Sequence, residues 1–256
     1  MAADPWADLT AELDAWAAAG RQATFWWRDD DAVAPSPALD RLLGRVNAYR
    51  VPLALAVIPA AAEPALAARL AAAPAAIRVL VHGWSHANHA RPDKKKSELA
   101  CGRPMVEMAG DLARGHARLA DLFGPRLLPV LTPPWNRLPV PLIRELPLIG
   151  LGGLSRFKPR KARCPAPGVV EVNTHIDPID WRGNRGFIGE AVAVAAITAH
   201  LAARRSGHAD AQEPTGLLTH HLVHDPALDE FLDRLMAYFA GHPAVIWPDL
   251  PTIFSP

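Results

Sequence analysis

The chain has 256 residues, of which 50% are hydrophobic and 21% charged, with a net charge of +1. That length supports one large core, and the near-neutral balance gives no global pull toward nucleic acid or an anionic membrane. Any polar partner has to be met by a local site. The two cysteines, Cys101 and Cys164, lie far apart and form no CxxC pair. They read as reduced thiols rather than a disulfide framework. The start, MAADPWADLTAELDAWAAAG, carries Asp and Glu where a signal peptide needs a basic start and an unbroken apolar core. No run approaches the ~20 apolar residues of a membrane span. The expectation is a soluble, cytoplasmic protein built as a single domain over 1–256.

Short β-rich runs alternate with Ala/Leu-rich helical patterns. In chain order, ATFWWR (23–28) reads as a strand and SPALDRLLGRVNAYR (36–50) as an amphipathic helix, with Ser36 near its N-cap and Pro37 in its first turn. Strand 52–58, helix 63–73 and strand 77–83 follow. A long helix over 105–124 is closed by Gly124. Next come strand 127–135, a short helix 139–146, and strands 148–155 and 169–177. Helix 186–205, strand 215–224, helix 227–242 and a last strand 244–248 complete the chain. DKKKSE (93–98) reads as a solvated helix start, and 156–168 and 205–216 as surface loops. Apolar strands alternating with helices argue for a parallel sheet under helices, and seven or eight repeats suggest a (β/α) barrel of distorted form.

The unusual polar residues fall where strands end: RDDD (28–31), HGWSH (82–86), TPPWNR (132–137), THIDPIDW (174–181) and THHLVHD (219–225). In a (β/α) barrel those ends converge on the face where active sites are built. Three adjacent carboxylates repel unless a cation sits nearby, so RDDD suggests a metal ligand beside a general base, with Arg28 as an ion-pair partner. His82 and His86 are spaced i, i+4. A helix following Gly83 would set both imidazoles on one side, and with one Asp they would form a facial set open to water and substrate. His89 reads as a supporting or surface residue. Of His220 and His221, neighbours on a strand, one can address the mouth as a proton donor, with Asp180 or Asp177 holding it. Trp135 and Trp181 would supply apolar walls suited to sugar rings.

In this order the clusters resemble the polysaccharide deacetylases, carbohydrate esterase family four, over about residues 24 to 247. The resemblance implies a distorted (β/α) barrel that hydrolyses N-acetyl groups of sugars, or related amides, with a divalent metal. RDDD is similar to the family's Asp-Asp motif of base followed by metal ligand. HGWSH is similar to its His-x-x-x-His metal motif, TPPW to its Arg-x-Pro-Tyr/Trp groove motif, DPIDW to its Asp/Trp motif, and LLTHH to its Leu-x-His acid motif. Two departures stand out. The triplet can be set in two registers. Holding the helix at Ser36 gives Asp29 as base and Asp30 as ligand, the register carried forward here; a shift of one residue gives Asp30 and Asp31. Thr132 stands where the family has the Arg that orients the base, with Arg28 or Arg137 as its replacement.

The resulting expectation is metal-assisted hydrolysis of an N- or O-acetylated sugar. Asp30, His82 and His86 bind the metal, most naturally zinc, with cobalt, nickel or iron as alternatives. Asp29 is the base and His220 the acid, backed by Asp180. Pro134, Trp135, Asn136, Arg137, Trp181 and His221 line the groove, and the Trp135 backbone N–H faces the oxyanion. Three other readings keep the same residues: an amidase acting on a small non-sugar substrate, a non-haem iron enzyme, and an inactive carbohydrate-binding protein, the last favoured by Thr132.

Overall fold

The computed structural model describes residues 4–255. Helix α1 (Pro5–Ala18), which the sequence reading does not anticipate, opens the chain. It buries Leu9, Leu13 and Trp16. Then follow β1 (Ala23–Ala32), α2 (Pro37–Tyr49), β2 (Leu53–Val57), α3 (Pro64–Ala71), β3 (Ile77–Val81), α4 (Met105–Phe123), β4 (Leu127–Leu131) and α5 (Val140–Ile143). The rest is β5 (Gly153–Leu154), β6 (Val170–Glu171), α6 (Glu190–Ser206), β7 (Thr215–Thr219), α7 (Pro226–Ala240), β8 (Val245–Ile246) and α8 (Leu250–Ile253). Local chemistry sets several of these starts. The Ser36 hydroxyl accepts from the Leu39 N–H, and the Asp225 carboxylate from the Leu228 N–H, each capping a helix that has Pro in its first turn.

All strand pairs are parallel, in the order β6-β5-β4-β3-β2-β1-β7, with β8 joining the start of β1. The sheet curls into the expected distorted barrel. Beyond β6 the chain reaches back to β7: the His175 and Ile176 N–H groups donate to the Gly216 carbonyl, and Leu218 N–H to that of Ile176. Strands β5 and β6 are two residues each, far shorter than the expected 148–155 and 169–177, and residues 146–149 form a 3-10 turn instead. Gly153 allows β5 to lie close against Val130 of β4, where a side chain would collide.

The two faces of β1 have different fates. Trp26 packs inside the barrel with Ala54, Ala56, Leu80, Val130 and Val172 over α8. Phe25 and Trp27 face the helical layer with Leu39, Leu228 and Phe231. This period-two alternation decides which way each following carboxylate points.

At the amino end of β7, away from the acidic strand ends, His175 stacks on His200 of α6 (ring centroids 3.7 Å) and lies 3.3 Å from Glu213. Burial, helped by the Arg204 and Arg160 charges, pushes His175 down to about 3. Burial also lowers His200 and pushes Glu213 up to about 6. Both imidazoles are therefore neutral in the folded chain but protonate below ~6.5 when it unfolds, so acid favours unfolding. Glu213 opposes this with a single proton between its unfolded value and about 6. We expect His200→Phe to shift the slope of the urea midpoint between about pH 7 and pH 5, so that acid lowers it less than in the native chain. An unchanged slope in the variant would show that His200 does not contribute.

Candidate active site

The three carboxylates of RDDD separate completely. Asp29 pairs with Leu55 across the sheet and Ala32 with Val57, so one extra residue is accommodated between them. This is a bulge, a device that re-aims side chains beside sites. Asp31 takes φ 72°, left-handed for a residue other than glycine.

Asp29 points outward into the helical layer and is 0% exposed. Its carboxylate accepts from the Thr219 hydroxyl (2.6 Å), the His221 N–H (3.0 Å) and the His221 ring. Burial alone would raise Asp29, but His221 outweighs it and holds the group low; His221 is in turn raised above its ordinary value despite its own burial. Together they form a buried ion pair. The structure therefore does not bring Asp29 and His221 to the mouth, where the sequence reading put a base and a groove residue.

Asp30 points inward. Arg28, two residues earlier on the same face, grips it with Nε at 2.9 Å and a terminal nitrogen at 3.0 Å. Arg28 is fully buried and also donates to Ser155 Oγ (2.7 Å), the Arg156 carbonyl (3.2 Å) and Asn136 Oδ1 (2.8 Å). The fork-on-fork geometry is the strong form of this contact. So Asp30 is not grouped with the imidazoles as the expected metal ligand; its oxygens are taken by Arg28. Thr132 is buried beneath, and Arg137 turns away to the Lys96 carbonyl (2.6 Å). Of the two substitutes for the missing Arg, Arg28 is the one in contact with an Asp of the triplet.

Asp31 is the carboxylate that meets the histidines. Its Oδ1 lies 3.1 Å from His82 Nε2 and 3.4 Å from His86 Nε2. Among the described residues these three are the one His/Cys/Asp/Glu group whose ligand atoms converge, all within 4.8 Å. His82 Nδ1 lies 2.9 Å from the Thr132 carbonyl, which can only accept, so Nδ1 carries the hydrogen and Nε2 is directed at the cluster. Burial alone would raise Asp31, yet the His82 hydrogen bond and the His82, His220 and His86 charges hold it well below the carboxylate range. Burial would lower His82, but the Asp30 and Asp31 charges pull it up; burial and the His82 charge push His86 down. Two imidazole nitrogens and a carboxylate directed at one point form a donor set suited to a divalent cation.

The expected helix after Gly83 is absent. His86 adopts φ 57°, and residues 83–86 wrap around the buried Glu98 carboxylate. It accepts the N–H groups of Trp84 (3.2 Å), Ser85 (2.8 Å) and His86 (3.3 Å). Gly83, at φ 61°, allows this approach, since a Cβ there would sit 2.1 Å from Glu98 Oε2 and also strike Pro134. Glu98 is thus an anchor the sequence reading missed. It sits at the end of a charged run that reads as a solvated helix start, and nothing local distinguishes it.

On the far side, His220 meets Trp181 edge to face, with centroids 4.7 Å apart. Trp181 Nε1 donates to Asp177 Oδ2 at 2.7 Å. Trp181 thus touches both His220 and Asp177, and burial raises Asp177 against the lowering charge of His220. Asp180 instead caps its own turn, accepting from the Arg182 (3.2 Å) and Gly183 (2.9 Å) N–H groups. Trp181 thereby links Asp177, the second option from the sequence, to His220, whereas Asp180 turns to its own loop. Trp135 and Asn136 both take left-handed backbone (φ 55° and 57°), which lays the Trp135 ring against His86 at 4.2 Å. Buried Pro134 packs below at Gly83.

Solved structures share this arrangement of strands and helices. A protein from Mycobacterium smegmatis assigned to the polysaccharide deacetylases superposes with a TM-score of 0.69 at 18% identity, covering 91% of this chain and 89% of its own. A family 4 acetyl xylan esterase from Clostridium thermocellum, in complex with a cobalt ion, matches at TM-score 0.56 and 15% identity over 90% and 89%. The chain has the polysaccharide deacetylase fold. A mutant of a family 4 pseudoenzyme with restored enzymatic activity also shares the fold, at TM-score 0.60 and 13% identity over 91% and 68%. No protein-family model and no curated protein matches the sequence itself. Within the deacetylase fold, this chain supplies its buried Arg from β1 itself, two residues ahead of the carboxylate it holds.

Removing Arg28 leaves Asp30 charged, buried and without a cation. Arg28→Met should cost roughly 3–5 kcal/mol of unfolding free energy, and adding Asp30→Asn should recover part of it. Denaturant midpoints of the two single variants and the double variant measure this; additive losses would show that the pair is not coupled.

Proposed function

We propose that the chain is a metal-dependent hydrolase of the polysaccharide deacetylase type, releasing acetate from an N- or O-acetylated sugar. The observation that carries this is the convergence of Asp31, His82 and His86 beside an Arg-held Asp30 and a Trp-packed His220. Asp31, His82 and His86 would hold the divalent ion, with zinc suited to the His-rich set; a structural neighbour is a cobalt complex. Bound there, the ion would polarise the acyl carbonyl and make water a better nucleophile.

The chain's own groups supply the proton handling. Asp30 lies on the inward face of β1, one residue before Asp31 of the ligand set. Its carboxylate takes the proton of the attacking water, and the Arg28 fork fixes its orientation. His220 would donate the proton to the departing amine or alcohol, with Trp181 linking it to Asp177. The rings of Trp135 and Trp181 wall the site on opposite sides. The reading as an inactive binder drew on Thr132; the Arg28 grip on Asp30 favours the enzyme instead. An amidase acting on a small non-sugar substrate would use the same groups.

Metal content by elemental analysis, together with acetate release, tests this. About one ion per chain is expected in the native protein and in Asp30→Asn, and loss of it in Asp31→Asn and in His82→Ala/His86→Ala. Asp30→Asn should lower kcat by roughly 100-fold or more with the metal retained. Metal loss in Asp30→Asn with retention in Asp31→Asn would restore the other register. A metal-loaded protein inert on acetylated sugars but active on small amides would establish the amidase instead.

A further inference from the structure

The loop that carries His86 continues into a second feature. Between the 89–103 segment and the 137–139 turn lies a cleft of about 690 Å³, within the range of small-ligand sites. His89, Arg91, Lys94, Lys95, Arg103 and Arg137 line it, and no Asp or Glu does. Leu99 and Leu138 give it apolar wall. The whole chain carries a net charge of only +1, so this concentration of cations is local.

Their charges are only partly balanced. Asp93 lies 3.5 Å from Arg91 and 3.2 Å from Lys94, all on exposed side chains. Arg103 is taken by Asp111 at 2.9 Å. Among the described residues, Lys95 and Arg137 have no carboxylate within ion-pair distance. Like charges gathered around a concave surface raise the local potential and draw in an anion.

The cleft and the proposed active site are built on the same two loops. Ser97 and Leu99 line the cleft, while Glu98 between them holds the loop of His86. Arg137 and Leu138 line the cleft, while Trp135 and Asn136 just before them touch His86 and Arg28. The two loops that frame the Asp31 cluster therefore also carry a cationic recess. Resting on the hydrolase reading above, we propose that this cleft selects an anionic sugar, one carrying a carboxylate or phosphate next to the acetylated unit.

Calorimetric binding and acetate release test this with three probes: a neutral N-acetylglucosamine tetrasaccharide, a tetrasaccharide alternating N-acetylglucosamine with glucuronate, and a phosphorylated N-acetylglucosamine oligosaccharide. The native, metal-loaded protein should bind at least one anionic probe about tenfold more tightly than the neutral one at low salt. Which probe is preferred identifies the anion as carboxylate or phosphate. Lys94→Glu/Lys95→Glu should erase the preference; should that variant fail to fold, Lys95→Gln reads the same effect at smaller size. Equal binding of all three probes, or a preference that survives charge reversal, overturns the proposal. The hydrolase reading fails separately. Anion preference without acetate release from any probe leaves the cleft and removes the enzyme, whereas equal acetate release without preference does the reverse.

Discussion

Three consecutive carboxylates at the end of one strand are tolerable only if each meets its own positive partner. Here the pleat and one bulge achieve that separation. Asp29 goes outward to His221, Asp30 inward to Arg28, and Asp31, turned by its left-handed backbone, goes up to His82 and His86. The rest of the site follows from this. Arg28 reaches Asn136 and the start of the loop after β5, so the charge that steadies Asp30 also ties three strand ends together. Buried charge of this kind adds little stability over an apolar core, but removing one partner is expensive.

The second constraint is the buried Glu98 carboxylate. A loop with three N–H groups turned toward one point needs an acceptor there, and a charged oxygen pair meets that need strongly. Gly83 is required for the close approach, and Pro134 closes the other side. The outcome is a His pair set by a wrapped loop rather than by helix periodicity. Because the wrapping residue comes from the far end of the 87–98 excursion, anchoring the His loop also shapes the basic cleft beside it.

Between them, these two buried acids account for the site's geometry without any long-range helix packing. The helical layer matters in a different way. It covers the outward face of β1 and gives Asp29 a dry setting, which is why an acid that looks catalytic on paper is structural in place. At the opposite end of the sheet, His175, His200 and Glu213 occupy another dry polar cluster, also structural, tied to α6 and the start of β7.

The sequence alone determined the strand–helix alternation, the barrel class and the five polar strand ends, including the one that carries His82 and His86. Those depend on local periodicity, capping and the position of polar residues after apolar runs, all of which are written along the chain. For the register of the Asp triplet it favoured Asp29 and Asp30, and for the partner of His220 it favoured Asp180, each over one alternative. The tertiary structure instead groups Asp31 with the histidines and links Asp177 to His220 through Trp181, because a bulge shifts facing by one residue and leaves no residue signature, and because Asp177 and Asp180 differ in how their turn closes. The anchoring role of Glu98 and the shortness of β5 and β6 were illegible for the same reason. Each depends on what a residue meets from a distant part of the chain, not on its neighbours in sequence.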